Sequence, residues 1–226
     1  MIDVLYIKGI TSPNSDLEIK YSLRSLCHIE DLGRVFISGI KPSFVTNVTL
    51  IPCYDIGYPM INHWWKVTQA IKNSDIGENF VLMYDDIFFL KDICLESYPS
   101  YHRGVLGNFD TGTLAYQESL SRTKKWLLER NMPILDYELH IPFIYNRENF
   151  LVLEKIFETQ TQERSPLAVR SIYGNLFVDS SPQREDFKMR KKTDKIPDRE
   201  CFSCSDEAFP FQFLDKLFPE KGDFEK

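Results

Sequence analysis

The chain has 226 residues, a formal net charge of −6, 43% hydrophobic, 27% charged and 14% aromatic residues. A chain of this length buries roughly 70–75% of its unfolded surface, so it needs neither disulfide nor metal to hold a core. The composition excludes wholesale disorder, and the mildly acidic balance gives no support to nucleic-acid binding by the surface as a whole.

Val4-Leu5-Tyr6-Ile7 is an apolar run ended by Lys8-Gly9, and it reads as a buried strand. Ser12, Pro13, Asn14 and Ser15 supply turn and cap chemistry. Leu17, Tyr21, Arg24 and Leu26 then begin an amphipathic helix with Asp16 and Glu18 in its first turn. Arg34 to Gly39 is a second strand stopped by glycine, and Val48 to Ile51 a third. Pro59 suits the first turn of a helix through Ile71, with Trp64, Val67, Ala70 and Ile71 on one apolar face. Asn79 to Tyr84 is a near-continuous apolar strand of the kind buried on both faces of a parallel sheet. This alternation implies an α/β fold, a Rossmann-type and mostly parallel sheet flanked by helices in a single domain. Residues 1–90 carry this alternation, and residues 91–226 complete the same domain.

The second half is less regular. Gly104 to Gly112 reads as loop or short strand, and Thr113 to Arg130 as a helix carrying Leu114, Leu120, Trp126 and Leu127. Asn146 can cap a helix running to about Glu158. Residues 181–200 hold seven basic and five acidic side chains and are expected to form a charged surface excursion. Ala208 to Phe218 reads as a last short helix. No apolar run approaches the ~18 residues of a membrane span, and residues 1–8 lack a basic stretch followed by an apolar one. Neither a span nor a signal peptide is expected, and the five cysteines are expected as reduced thiols in a cytoplasmic protein. Cys201 and Cys204 form a lone CxxC pair with all four histidines far upstream, so buried thiols outweigh a zinc site there.

The segment richest in chemistry is Phe80-Val81-Leu82-Met83-Tyr84-Asp85-Asp86-Ile87-Phe88-Phe89, an apolar strand interrupted by two adjacent carboxylates. Two charges at the end of a buried strand are costly unless something neutralises them. In open α/β sheets the carboxyl ends of strands are where ligands bind. A divalent cation bridging the pair to a diphosphate would remove the repulsion at a hard, oxygen-rich site. The plainer alternative makes both residues turn or cap groups.

An Asp-Asp pair ending an apolar strand after a nucleotide-binding α/β half resembles the metal site of glycosyltransferases with the GT-A fold. The wider pattern also resembles the Stealth proteins (capsular polysaccharide phosphotransferases) and related small bacterial and phage transferases. The matching pieces are Glu18 to Leu26, Arg34 to Gly39 with Pro42, Asn62, Tyr84 to Phe89, Tyr137 to Pro142, Arg170 to Asn175 and Phe218 to Lys221. The resemblance implies Asp85, Asp86 and His140 as ligands of Mn²⁺ or Mg²⁺, with Asp85 also touching the ribose or a water near the metal. It implies Arg24, Asn62 and Lys66 on the donor's phosphates, Arg24 as a bidentate clamp. Asn62 and Lys66 are one helical turn apart and share a face, whereas neighbouring His63 is expected to point elsewhere in a structural role. Arg170, with Tyr173 and Asn175, would stabilise the leaving diphosphate; Arg103 is a further candidate. Asp136, Glu138 and Asp110 are alternative general bases for an acceptor hydroxyl. Trp64 and Trp126 are expected in the core and Trp65 at its rim.

The function implied is metal-dependent transfer of a sugar from a nucleotide-sugar, such as a UDP-sugar, to a hydroxyl on a glycan or on a hydroxylated phage DNA base. Stealth-like transfer of a sugar 1-phosphate is one alternative. A non-catalytic binding protein on a Rossmann-like scaffold is another.

Overall fold

The computed structural model describes residues 1–9, 14–107 and 112–226. Ser12, Pro13 and Asp110 therefore lie outside the described residues. Strand β1 (Ile2–Lys8) leads through helix α1 (Leu17–Ser25) to strands β2 (Leu32–Gly39) and β3 (Thr49–Pro52). Helix α2 (Pro59–Asn73) returns the chain to strand β4 (Asn79–Met83). After these come β5 (Ile87–Phe89), α3 (Leu114–Leu128), β6 (Phe143–Asn146), α4 (Arg147–Val152) and α5 (Glu154–Phe157). The chain ends with α6 (Val169–Phe177), β7 (Lys188–Met189), β8 (Cys201–Cys204) and α7 (Phe211–Leu217).

The main sheet has the order β3-β2-β1-β4-β6, parallel except for β6, which runs antiparallel along β4. Its side chains alternate between two cores. Leu5, Phe36, Phe80 and Leu82 pack with Ile61, Trp64, Val67, Ala70 and Ile71 of α2. Val4, Tyr6, Val35, Ile37, Val81 and Met83 pack with Ile19 and Leu23 of α1. Both faces are covered, which is why these strands read as continuous apolar runs instead of alternating ones. Each such side chain contributes about 1.5–3 kcal/mol by leaving water.

Two helices start on side-chain caps, of which the one at Asn146 is expected from sequence. The Thr113 side chain accepts from the Tyr116 backbone at the start of α3, and Asn146 accepts from Glu148 and Asn149 at the start of α4. The single helix expected after Asn146 is divided at Leu153, whose side chain is fully buried. Trp64 stacks on Phe157 in the core, while Trp65 and Trp126 are half-buried. Two glycines are sterically required. Gly39 has φ +133°, and a Cβ there would lie 2.0 Å from the Lys8 carbonyl oxygen. A Cβ on Gly174 in α6 would lie 2.4 Å from the Tyr137 ring, so this glycine lets the segment before Glu138 close onto the helix.

A second sheet, in the order β5-β8-β7, joins the strand just after Asp85-Asp86 to the charged segment 181–200. Much of that segment is exposed, but Arg184 and Met189 are buried, and Asp186 and Lys188 are turned largely inward. Cys201 packs in the core under α1, whereas Cys204 joins Phe88, Phe202 and Phe218 in a third cluster. The strand alternation thus sends the two thiols to different surroundings. Among the described residues, no helix is long and apolar enough to cross a membrane.

Candidate active site

In this sheet the chain leaves β1 toward β2 on one side and arrives at β4 on the other, so the order reverses between β1 and β4. Ligands of open α/β sheets bind at the carboxyl ends of strands beside such a reversal. A cavity of about 670 Å³ opens there, with Ile7 and Gly9 from the end of β1 and Tyr84, Asp85 and Asp86 from the end of β4. Among the described residues its wall carries six carboxylates (Glu18, Asp55, Asp85, Asp86, Glu138 and Asp206) against the cations Lys66, Arg170 and Lys188. An excess of carboxylates in a concave, partly dry space favours a cationic partner.

The carboxylate pair is held by side chains from distant parts of the chain. Asp85 faces Lys8 Nζ at 3.5 Å, and that ammonium also meets Asp16 at 2.7 Å. Burial, followed by the charge of Asp86, pushes the Asp85 carboxyl up to about 6. Asp86 Oδ2 accepts from Ser203 Oγ at 2.8 Å and from Lys188 Nζ at 3.0 Å. Opposite them, the His140 backbone N–H donates to Asp186 Oδ1 at 2.9 Å, and its Nδ1 meets Asp186 Oδ2 at 2.8 Å. Burial alone would raise the Asp186 carboxyl, but its hydrogen bonds to the side chain and backbone of His140 hold it at about 2. A carboxylate on Nδ1 fixes the ring and leaves Nε2 as the nitrogen for a ligand, the usual support of a metal-binding histidine.

The donor chemistry of Asp85, Asp86 and His140 therefore suits a hard or borderline divalent cation, and all three line the cavity. Among the described residues, however, no three His, Cys, Asp or Glu side chains are already drawn into a metal-holding group. Asp86 is engaged by Lys188 instead.

Arg170 is 1% exposed and projects from α6 to the cavity wall. Its Nη1 donates to the carbonyls of Leu139 and, at 3.0 Å, Ile141, and its plane lies over the rings of Tyr84 and Phe143. Its Nε and Nη2 are buried and have no partner among the described residues. Glu138 also lines the cavity, where the Ser171 N–H and hydroxyl donate to its Oε1. Burial raises its carboxyl, against the opposing charge of Arg170. His63, expected to point elsewhere, reaches the cavity floor, but both ring nitrogens are taken by Tyr84 and Tyr145 at 2.9 and 3.0 Å. Burial, then Arg170, holds its pKa well below the ordinary value, so it stays neutral.

Asn62 and Lys66 both line the cavity. The Asn62 amide is committed to the preceding loop, accepting from Ile56 and Gly57 and donating to the Gly57 carbonyl. Lys66 Nζ pairs with Asp55 at 2.6 Å and donates to the Lys8 carbonyl at 2.7 Å.

Four expected site residues do not reach the cavity. Arg24 grips the Glu225 carboxylate with Nε and Nη2 and the Phe218 carbonyl with Nη1, so its fork holds the C-terminal segment and no phosphate. Asp136 is fully buried against Arg103 at 2.9 Å and accepts from the Glu138 backbone. The Tyr173 hydroxyl accepts from the Asn146 backbone. Asn175 is spent on Leu135 and on the Ser171 carbonyl. Arg103 likewise lies outside this cavity.

Lys8, Asp55, Asp186, Lys188 and Ser203 were not marked out by the sequence. Lys8 alone left a trace, as the charge that ends an apolar strand beside a glycine.

No protein-family model and no curated protein matches this chain. Solved structures do match. One of an active-site mutant of LgtC shares 9% identity, covers 98% of each chain and has a TM-score of 0.55. The galactosyltransferase LgtC in complex with donor and acceptor sugar analogues shares 8% identity, covers 100% of this chain and 98% of its own, and has a TM-score of 0.53. The fold is thus the GT-A type of glycosyltransferases, which is the α/β class and architecture that the alternation of elements implied.

Proposed function

We propose that this chain is a glycosyltransferase that moves a sugar from a nucleotide-sugar donor, a UDP-sugar by preference, to a hydroxyl acceptor. The observation that carries this reading is the convergence of Asp85, Asp86, Glu138, His140 and Arg170 on one cavity at the reversal point of a GT-A sheet. A divalent cation, Mn²⁺ or Mg²⁺, held by Asp85, Asp86 and His140 would supply charge neutralisation for the departing diphosphate.

The chain's own groups account for the rest. Arg170 lines the cavity, and its buried Nε and Nη2, without a partner among the described residues, would suit an anionic oxygen that gains charge as the sugar leaves. Glu138 is the one described candidate among the proposed bases that lines the cavity, and its raised carboxyl suits removal of a proton from an acceptor hydroxyl. Lys66 holds Asp55 and the end of β1 in place.

Incubation with a panel of nucleotide-sugars and Mn²⁺, followed by assay of released nucleotide, tests the reading. Slow release of nucleoside diphosphate is expected without acceptor. Silence across all donors would sink the proposal, and release of nucleoside monophosphate would point to sugar-phosphate transfer. Asp86→Asn, which keeps an oxygen to accept from Ser203, should abolish release in a chain that still unfolds cooperatively.

A further inference from the structure

Lys188 belongs to β7, inside the segment that the sequence presents as a solvated charge run. Its register partner in the small sheet is Ser203, and both side chains converge on one oxygen, Asp86 Oδ2. The Lys188 side chain is only 18% exposed, and it lines two cavities. One is the candidate active site; the other, of about 530 Å³, is lined by Arg103, Arg184, Asp186 and Arg190 among others. An ammonium on a flexible four-carbon stem, standing between two cavities, can change partner without any backbone change.

A divalent cation on Asp86 and the ammonium of Lys188 compete for the same carboxylate. Held side by side they would repel, and with neither present two adjacent carboxylates would face each other in a poorly hydrated wall. From these contacts we infer that Lys188 is an exchangeable counter-ion of Asp86. It neutralises the carboxylate while the cavity holds no cation, and it moves onto an anionic group of the ligand when a divalent cation takes Asp86.

Two consequences follow from the charges. A cation binding alone must displace Lys188 and leave it unpaired, so cation binding alone is weak. A cation and an anion binding together give Lys188 a new partner, so each strengthens the other by the same factor. The inference rests on the proposed function in naming the divalent cation on Asp86 and a nucleoside diphosphate as the anion.

Mn²⁺ titration of the full chain, read by electron paramagnetic resonance of free Mn²⁺, tests this with and without UDP. Lys188→Met should bind Mn²⁺ alone about tenfold more tightly than the unaltered chain, the scale of one close charge pair. Lys188→Gln, which keeps a hydrogen-bonding tip, should move in the same direction if both variants give native circular dichroism. UDP should strengthen Mn²⁺ binding to the unaltered chain by a larger factor than to Lys188→Met. Asp86→Asn should weaken Mn²⁺ binding in either background, with and without UDP. Equal Mn²⁺ affinity of the unaltered chain and both Lys188 variants overturns the inference. So does an Asp86→Asn chain that binds as before, or the absence of Mn²⁺ binding in all of them. Nucleotide release from donors is a separate readout. Exchange without turnover would remove the transferase reading and leave the role of Lys188 intact, and turnover without exchange would do the reverse.

Discussion

Where α1 meets the C-terminal segment, Arg24 stands 6% exposed against a Glu225 side chain 5% exposed, and all of its fork is matched by a carboxylate and a carbonyl. On the cavity wall Arg170 is as deeply buried, yet Nε and Nη2 find no partner among the described residues. Leaving a buried donor unmatched costs about 1–3 kcal/mol, and natural folds retain few such groups. The two arginines sit in equally matching stretches of sequence, so the contrast between them is one of completion. A guanidinium with each of its three nitrogens answered by protein ties the fold together. One left incomplete at a cavity is arranged for an oxygen that arrives with a ligand or with water.

The contrast can be broken from either side. Arg24→Ala should have the largest effect on stability, about 3–5 kcal/mol in urea unfolding, because it strands the Glu225 carboxylate in the interior. The activity of the molecules that remain folded should be unchanged. Arg170→Lys should do the opposite: nucleotide release from a donor should fall by about 100-fold, the scale of one oriented donor to a developing anion. Its loss of stability should stay well below that of Arg24→Ala, measured in the same urea series.

Asp85 sharpens the same distinction through pH. Its carboxyl, near 6, lies above the ordinary 3.8, so the folded chain binds this proton more tightly than the unfolded chain does. Stability from this group therefore falls as pH rises through that window, and the penalty is complete above it. The side chain is 33% exposed, and water screens part of the cost. Asp85→Asn should raise the thermal midpoint at about pH 7.5 by roughly 2–4 °C, the shift given by about 1 kcal/mol in a chain of this size. The gain should shrink as the pH is lowered toward about 4. The smallest effect is expected for Arg190→Ala. Its 52% exposed side chain reaches Asp186 only at 3.8 Å, and stability should change by less than about 0.5 kcal/mol.

Much of the fold was legible because its signals are local. The apolar runs of β1, β2 and β4, the Pro59 start of α2, the Asn146 cap and the Asp85-Asp86 interruption all follow from neighbouring residues, with backbone geometry supplying the period. The candidate site was legible only where it falls on a strand end or a matching block, as Asp85, Asp86, Glu138, His140 and Arg170 do. Sequence could not separate Arg24 from Arg170, because the partner that saturates Arg24 lies 201 residues away at Glu225. Nor could it separate Asp136 from Glu138, two positions apart, since only their placement around Gly174 and Arg103 buries one and turns the other to the cavity.

Sequence by itself, then, determined the class of fold, the order of its elements and the strand end where charge accumulates. Tertiary structure alone decided which charges are answered: Lys8 and Lys188 reach Asp85 and Asp86 across 77 and 102 residues. Whether a buried ionisable group is a tie or a site depends on the atoms within about 3 Å of it. Those atoms are set by packing between elements far apart in the chain.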